Sequence, residues 1–214
     1  MKKAFTLAEV LITLGIIGIV AALTIPTIIN ANNQQATISQ AKKAYSMLSQ
    51  AISRMQSDGM IAYNYTCQPA ANFKQDFMQY FNVAKDCGVS NCVPNSGAST
   101  VYKSISGVAG RADYFGENQF VTNDGFFIGM NTCLNAGVNE IWIAVDTNGY
   151  TTKPNVFGKD MFFFIIKPEN KLVPNGAPGT WAAGNSGMCD KTINVGAQGV
   201  GCTSRILQND VTYW

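Results

Sequence analysis

The chain of 214 residues contains no histidine, and only 13% of its residues are charged. Without an imidazole there is no Ser-His-Asp triad, no Cys-His nucleophile pair, no zinc site built on histidine and no histidine pH switch, so most hydrolase mechanisms are excluded. A globular domain ordinarily carries about 25% charged residues. The shortfall, beside 47% hydrophobic residues, points to a chain that lies partly in lipid or packs against copies of itself, and it excludes a disordered chain. Clustered positive charge is scarce too. The lysines and arginines are scattered singly apart from Lys42 and Lys43, and the net charge of +2 vanishes once Lys2 and Lys3 are set aside. Binding by phosphate neutralisation needs grouped cations, so bulk nucleic-acid binding is not expected. The length fits one domain of ordinary size.

What is present concentrates at the N-terminus. After Lys2 and Lys3 comes Ala4-Phe5-Thr6-Leu7-Ala8-Glu9, then an apolar run from Val10 to Ile29, and Glu9 is the only charge between Lys3 and Lys42. Twenty helical residues rise about 30 Å, enough to cross a hydrocarbon core. Lysines in front of such a helix stay in the cytoplasm, which places everything after residue 30 outside it. An ordinary signal peptide is the simpler reading, with Val20-Ala21-Ala22 as a small-residue cleavage site. Against it stand the continuation of the run through Leu23, Ile25, Ile28 and Ile29, and the position of Glu9. A carboxylate there costs about 2.5 to 3.5 kcal/mol on insertion scales, and a disposable peptide has no use for it.

The stretch Lys2-Lys3-Ala4-Phe5-Thr6-Leu7-Ala8-Glu9-Val10-Leu11 resembles the class III signal of type IV pilins and pseudopilins. In that family a prepilin peptidase cuts in front of a Phe and methylates the new amine. The resemblance implies a cut between Ala4 and Phe5, although the family usually has Gly before the cut. It also implies a family glutamate at Glu9 and a helix-loosening proline at Pro26. The physical reading of Glu9 stands beside the resemblance. Removal of residues 1–4 leaves a charged amine on Phe5, and a carboxylate one helical turn away on a neighbouring subunit can neutralise it, joining two costly groups in one pair. The plainer alternative is an interfacial anchor whose Glu9 snorkels to the headgroups. Gly15 and Gly18 share one side of the helix and permit close approach within a membrane, though glycine is common in such helices. Pro26 removes a backbone hydrogen bond near Ala22.

Beyond Gln35, Ile38, Ala41, Tyr45, Leu48, Ile52 and Met55 recur at three- and four-residue spacing and predict an amphipathic helix that stops at Ser57-Asp58-Gly59. One helix from Phe5 to Ser57 would measure about 80 Å. The stripe is too short and too poor in flanking charge for a free coiled coil, so it is expected to pack on a head. In the head, residues 119–122 and 126–130 flank the hairpin signal Asn123-Asp124-Gly125, and residues 140–145 and 161–166 follow. They predict an antiparallel sheet of about four strands whose apolar face the helix covers. Residues 67–110 and 174–201, rich in Gly, Asn, Ser and Ala, read as loops.

Two further segments carry the resemblance. Asp146-Thr147-Asn148-Gly149, Pro154-Asn155, Gly158 and Asp160-Met161-Phe162 resemble a segment of pseudopilin-like heads, and residues 201–206 resemble their terminal cysteine strand. Asp146, Asn148 and Asp160 carry the oxygen chemistry that calcium prefers, but Asp-x-Asn-Gly is first a turn signal whose side chains cap their own backbone. The six cysteines form an even set in a compartment that permits disulfides, and the residues leave all fifteen pairings open. The resemblance implies Cys189 with Cys202 as a terminal staple; Cys87 with Cys92 and Cys67 with Cys133 then remain by elimination only.

The expected architecture is α+β and type IV pilin-like. Residues 1–4 are a leader, 5–29 a transmembrane and assembly helix, 30–58 an amphipathic helix and 59–214 a β-rich head stapled by disulfides. The resemblance implies a non-enzymatic filament or secretion subunit, single-pass in the bacterial inner membrane, with its head in the periplasm or on a filament. Its partners would be the prepilin peptidase, an assembly platform and other pilin subunits, with no cofactor required. The competing class is a membrane-tethered binding module or adhesin that does not polymerise, which aromatics such as Trp142, Trp181 and Trp214 could serve, although core packing explains isolated tryptophans at least as well.

Overall fold

A computed structural model describes residues 6–67, 69–94, 97–133, 140–184 and 188–213. The chain divides into two compact units, Met1–Thr37 and Ile38–Trp214. Helix α1, Leu7–Ser57, contributes to both and runs unbroken through Pro26. In the first unit its large apolar side chains, from Leu7 through Val10, Leu14, Ile19 and Leu23 to Ile29, are all exposed. The helix is long and apolar enough to cross a membrane.

In the second unit the remainder of α1 covers one face of a sheet. Its buried residues are Ile38, Ala41, Ala44, Leu48, Ala51, Ile52 and Met55. The stripe thus follows the expected helical spacing, with one correction: Tyr45 lies at the rim, its ring 6.0 Å from that of Phe164, while Ala44 and Ala51 make the close contact. Small side chains at the crossing let the helix approach the sheet, where a tyrosine would hold it off.

The sheet has six antiparallel strands rather than four. They are β1 (Val83–Asp86), β4 (Asn118–Thr122), β5 (Phe127–Asn131), β6 (Ile141–Asp146), β7 (Met161–Lys167) and β8 (Lys171–Pro174), in the order β1-β4-β5-β6-β7-β8. The two unforeseen strands are the edges. β1 is mostly exposed and shows no alternation of burial, and β8 ends on a proline, so neither carries the period-two signal. A separate ribbon joins β2 (Ala98–Lys103) to β3 (Ala109–Arg111). The region 67–110 therefore holds α2 (Ala70–Met78), β1, β2 and part of β3, where loops were expected. The expected terminal strand at residues 201–206 is also corrected. It forms a 3-10 turn, Val200–Cys202, and a short helix α4, Thr203–Leu207, because its buried residues Thr203 and Ile206 fall three apart, a helical interval.

Both faces of the sheet are covered. Towards α1 point Phe120, Ile128, Met130, Ile143, Val145, Phe162, Phe164 and Ile166. The opposite face, with Phe127, Trp142, Ala144, Phe163 and Ile165, packs beneath Tyr102 of the ribbon, Tyr114, Phe157 and Val200. Two-sided cover explains why β6 and β7 read Ile-Trp-Ile-Ala-Val and Met-Phe-Phe-Phe-Ile-Ile with no polar alternation. Each such side chain contributes about 1.5 to 3 kcal/mol by leaving water.

Candidate functional site

The helix begins with a reciprocal cap. The Glu9 N–H donates to Thr6 Oγ1 at 3.3 Å, while Glu9 Oε2 accepts the Thr6 N–H at 2.8 Å and its hydroxyl at 2.7 Å. Thr6 precedes the first helical residue and Glu9 stands three positions later, the Thr-x-x-Glu capping box. Glu9 therefore holds the helix start together within its own chain, a role separate from pairing with a neighbour. The signal for it, a threonine three residues before the glutamate, is legible in the sequence. Ala4 and Phe5 lie outside the described residues.

Along the apolar part of the helix the threonine hydroxyls are satisfied within the chain. The hydroxyls of Thr13, Thr24 and Thr27 donate to the carbonyls of Val10, Val20 and Thr24 at 3.0, 2.9 and 2.7 Å. Gly15 and Gly18 have no atom within 4 Å of the place a Cβ would take, which leaves that side open to another helix.

In the head, Asp146 and Asp160 stand at the two ends of the β6–β7 connection. Asp146 Oδ1 accepts the N–H groups of Asn148 and Gly149, both at 3.0 Å, and Oδ2 accepts the Tyr102 hydroxyl at 2.5 Å. Asp160 accepts the N–H groups of Asn155 at 2.6 Å and Val156 at 2.7 Å. Asn148 is exposed and donates to the Lys153 carbonyl at 3.2 Å. Burial, and then the charge of Asp160, raises the Asp146 pKa to about 7; burial likewise raises that of Asp160. Tyr102 is pushed well above the usual phenol range by burial and by Asp146.

Calcium takes six to eight oxygen ligands. Here every carboxylate oxygen already faces an N–H or O–H donor. Asn155 Oδ1 is the one buried oxygen of the loop without a donor among the described residues. Among those residues, no group of three or more His, Cys, Asp and Glu is placed to hold a metal ion. The donor set fits a self-capped turn and does not fit a calcium cage.

The six cysteines form Cys67–Cys133, Cys87–Cys92 and Cys189–Cys202. The two described tryptophans pack with Tyr114 in one aromatic cluster. Trp142 is buried and stacked on Tyr114 with centroids 5.3 Å apart, Trp181 is half-buried against both, and Trp214 lies outside the described residues.

Neither a curated protein nor a solved structure matches the chain. Residues 1–25 match the family described as the prokaryotic N-terminal methylation motif, the same stretch that holds the two lysines, Phe5, the Thr6–Glu9 cap and most of the apolar run. The chain thus opens with the prepilin-type methylation signal, joined to a helix long and apolar enough to cross a membrane and to an α+β head.

Proposed function

We propose that the chain is a structural subunit, a pseudopilin or minor pilin, of a type IV filament or type II secretion machine. The observation that supports this best is the prepilin-type signal over residues 1–25 leading into a helix whose large apolar side chains from Leu7 to Ile29 are all exposed. Prepilin peptidase removes residues 1–4 and methylates Phe5. An inner-membrane assembly platform then packs the helix against those of other subunits, while the head stays in the periplasm or on the filament surface. The work is structural and uses no cofactor.

Glu9 provides the test. In an isolated anchor its carboxylate gains nothing from neighbouring chains, so Glu9→Leu would cost only the intrachain cap with Thr6 and leave membrane insertion and the folding of the head intact. In a polymer, its loss strands the neighbouring Phe5 amine, at a cost of about 3 to 5 kcal/mol for a broken buried pair. Expressed in the native host at equal membrane level, Glu9→Leu is expected to abolish sheared filaments or secretion, and mass spectrometry of the wild type to show a methylated chain starting at Phe5. Normal assembly of the variant would turn the reading to the tethered binding module, and a native chain starting at Leu23 would overturn the prepilin reading in favour of a cleaved signal peptide.

A further inference from the structure

Beside the exposed side of α1 runs a groove of about 510 Å³, walled by the helix from Lys43 to Arg54 and by residues 80–82 and 122–124. That volume is the size of small-ligand sites. Its chemistry is mixed in a particular way. The guanidinium of Arg54, in the last turn of α1, is exposed and makes no hydrogen bond or ion pair among the described residues. The second cation, Lys43, is held by Asp124 at 2.7 Å and lies 4.7 Å from the centre of the Phe126 ring. One guanidinium is therefore left to take one carboxylate through its fork of N–H donors.

Around it stand neutral hydrogen-bonding groups. The side-chain amides of Asn82 and Asn123 are exposed and have no partner among the described residues, and Gln50 donates to Ser46 Oγ at 3.0 Å, leaving its own oxygen outward. The half-buried rings of Tyr80 and Phe81 add an apolar wall. Amides for hydroxyls, a ring for a C–H face and a single unpaired guanidinium match a sugar bearing one carboxylate.

We propose that this groove binds a carboxylate-bearing sugar, with Arg54 on the carboxylate. The inference goes beyond the filament reading and does not depend on it, since every wall lies in the second unit.

The test uses the full chain in lipid nanodiscs and saturation-transfer NMR with trigalacturonate, its methyl ester and triglutamate. Trigalacturonate is expected to bind and the ester to bind at least roughly tenfold more weakly, the effect of losing a charge-assisted hydrogen bond. Arg54→Gln should weaken the acid by a similar factor, Arg54→Lys less, and Lys153→Gln, on another exposed loop, not at all. No transfer to trigalacturonate, equal transfer to its ester, equal binding of triglutamate, or equal losses in Arg54→Gln and Lys153→Gln would each overturn the proposal.

Discussion

Asp146 shows how one buried side chain sets the response of the head to pH. In the unfolded chain its carboxyl loses a proton in the ordinary aspartate range near 3.8, whereas burial raises its pKa in the fold to about 7. Between those values the native state holds the extra proton, so the contribution of Asp146 to stability is fully present below about pH 4 and is lost as pH rises towards 7. Asp160 shifts in the same direction and adds to the slope. The head is therefore expected to be more resistant to urea at pH 5 than at pH 8, and Asp146→Asn to flatten that difference. The same slope in the variant would show that other groups carry it.

Among the elements, α1 and the terminal staple offer contrasting tests. Leu48 is fully buried against the sheet, so Leu48→Ala should cost about 2 to 5 kcal/mol in denaturant unfolding, whereas Tyr45→Ala, at the rim, should cost less than about 1 kcal/mol. Equal losses would mean that the helix packs in a different rotation. Cys189–Cys202 closes a loop over a separation of 13 residues, for which the chain-entropy estimate is about 3 kcal/mol. Replacing both cysteines by serine should lower the unfolding free energy by that order. The glycines of this corner have no room to vary: a Cβ on Gly199, where φ is +106°, would lie 2.3 Å from the Phe157 carbonyl oxygen.

On the scale of the whole molecule, two solvents meet in one chain. The contiguous run of large exposed apolar side chains lies between Leu7 and Ile29, while the stripe from Ile38 to Met55 is covered by its own sheet. A chain lacking residues 1–30 is therefore expected to be a soluble monomer in sedimentation, with the three disulfides recovered intact by non-reducing peptide mapping. An obligate dimer would favour a coiled coil through the same stripe.

The sequence by itself determined the prepilin-type signal, the apolar helix, the amphipathic stripe and the four inner strands. Each is a local pattern: a run of residues, a period of 3.6, or a turn signal between apolar runs. Tertiary structure alone decided the rest. The edge strands Val83–Asp86 and Lys171–Pro174 exist because neighbours offer them hydrogen bonds, since their own residues show no period. The segment after Cys202 became a helix as it settled over β7, where Thr203 Oγ1 accepts the N–H of Phe163 at 2.8 Å. Asp146 and Asp160, alike in the sequence to cation ligands, became turn caps because folding brought Tyr102 and four backbone N–H groups to their oxygens. Arg54 and Asn123, nearly 70 residues apart, share one groove only because the helix lies beside the hairpin. Periodicity records which face of an element is buried, but it carries no record of what lies across that face.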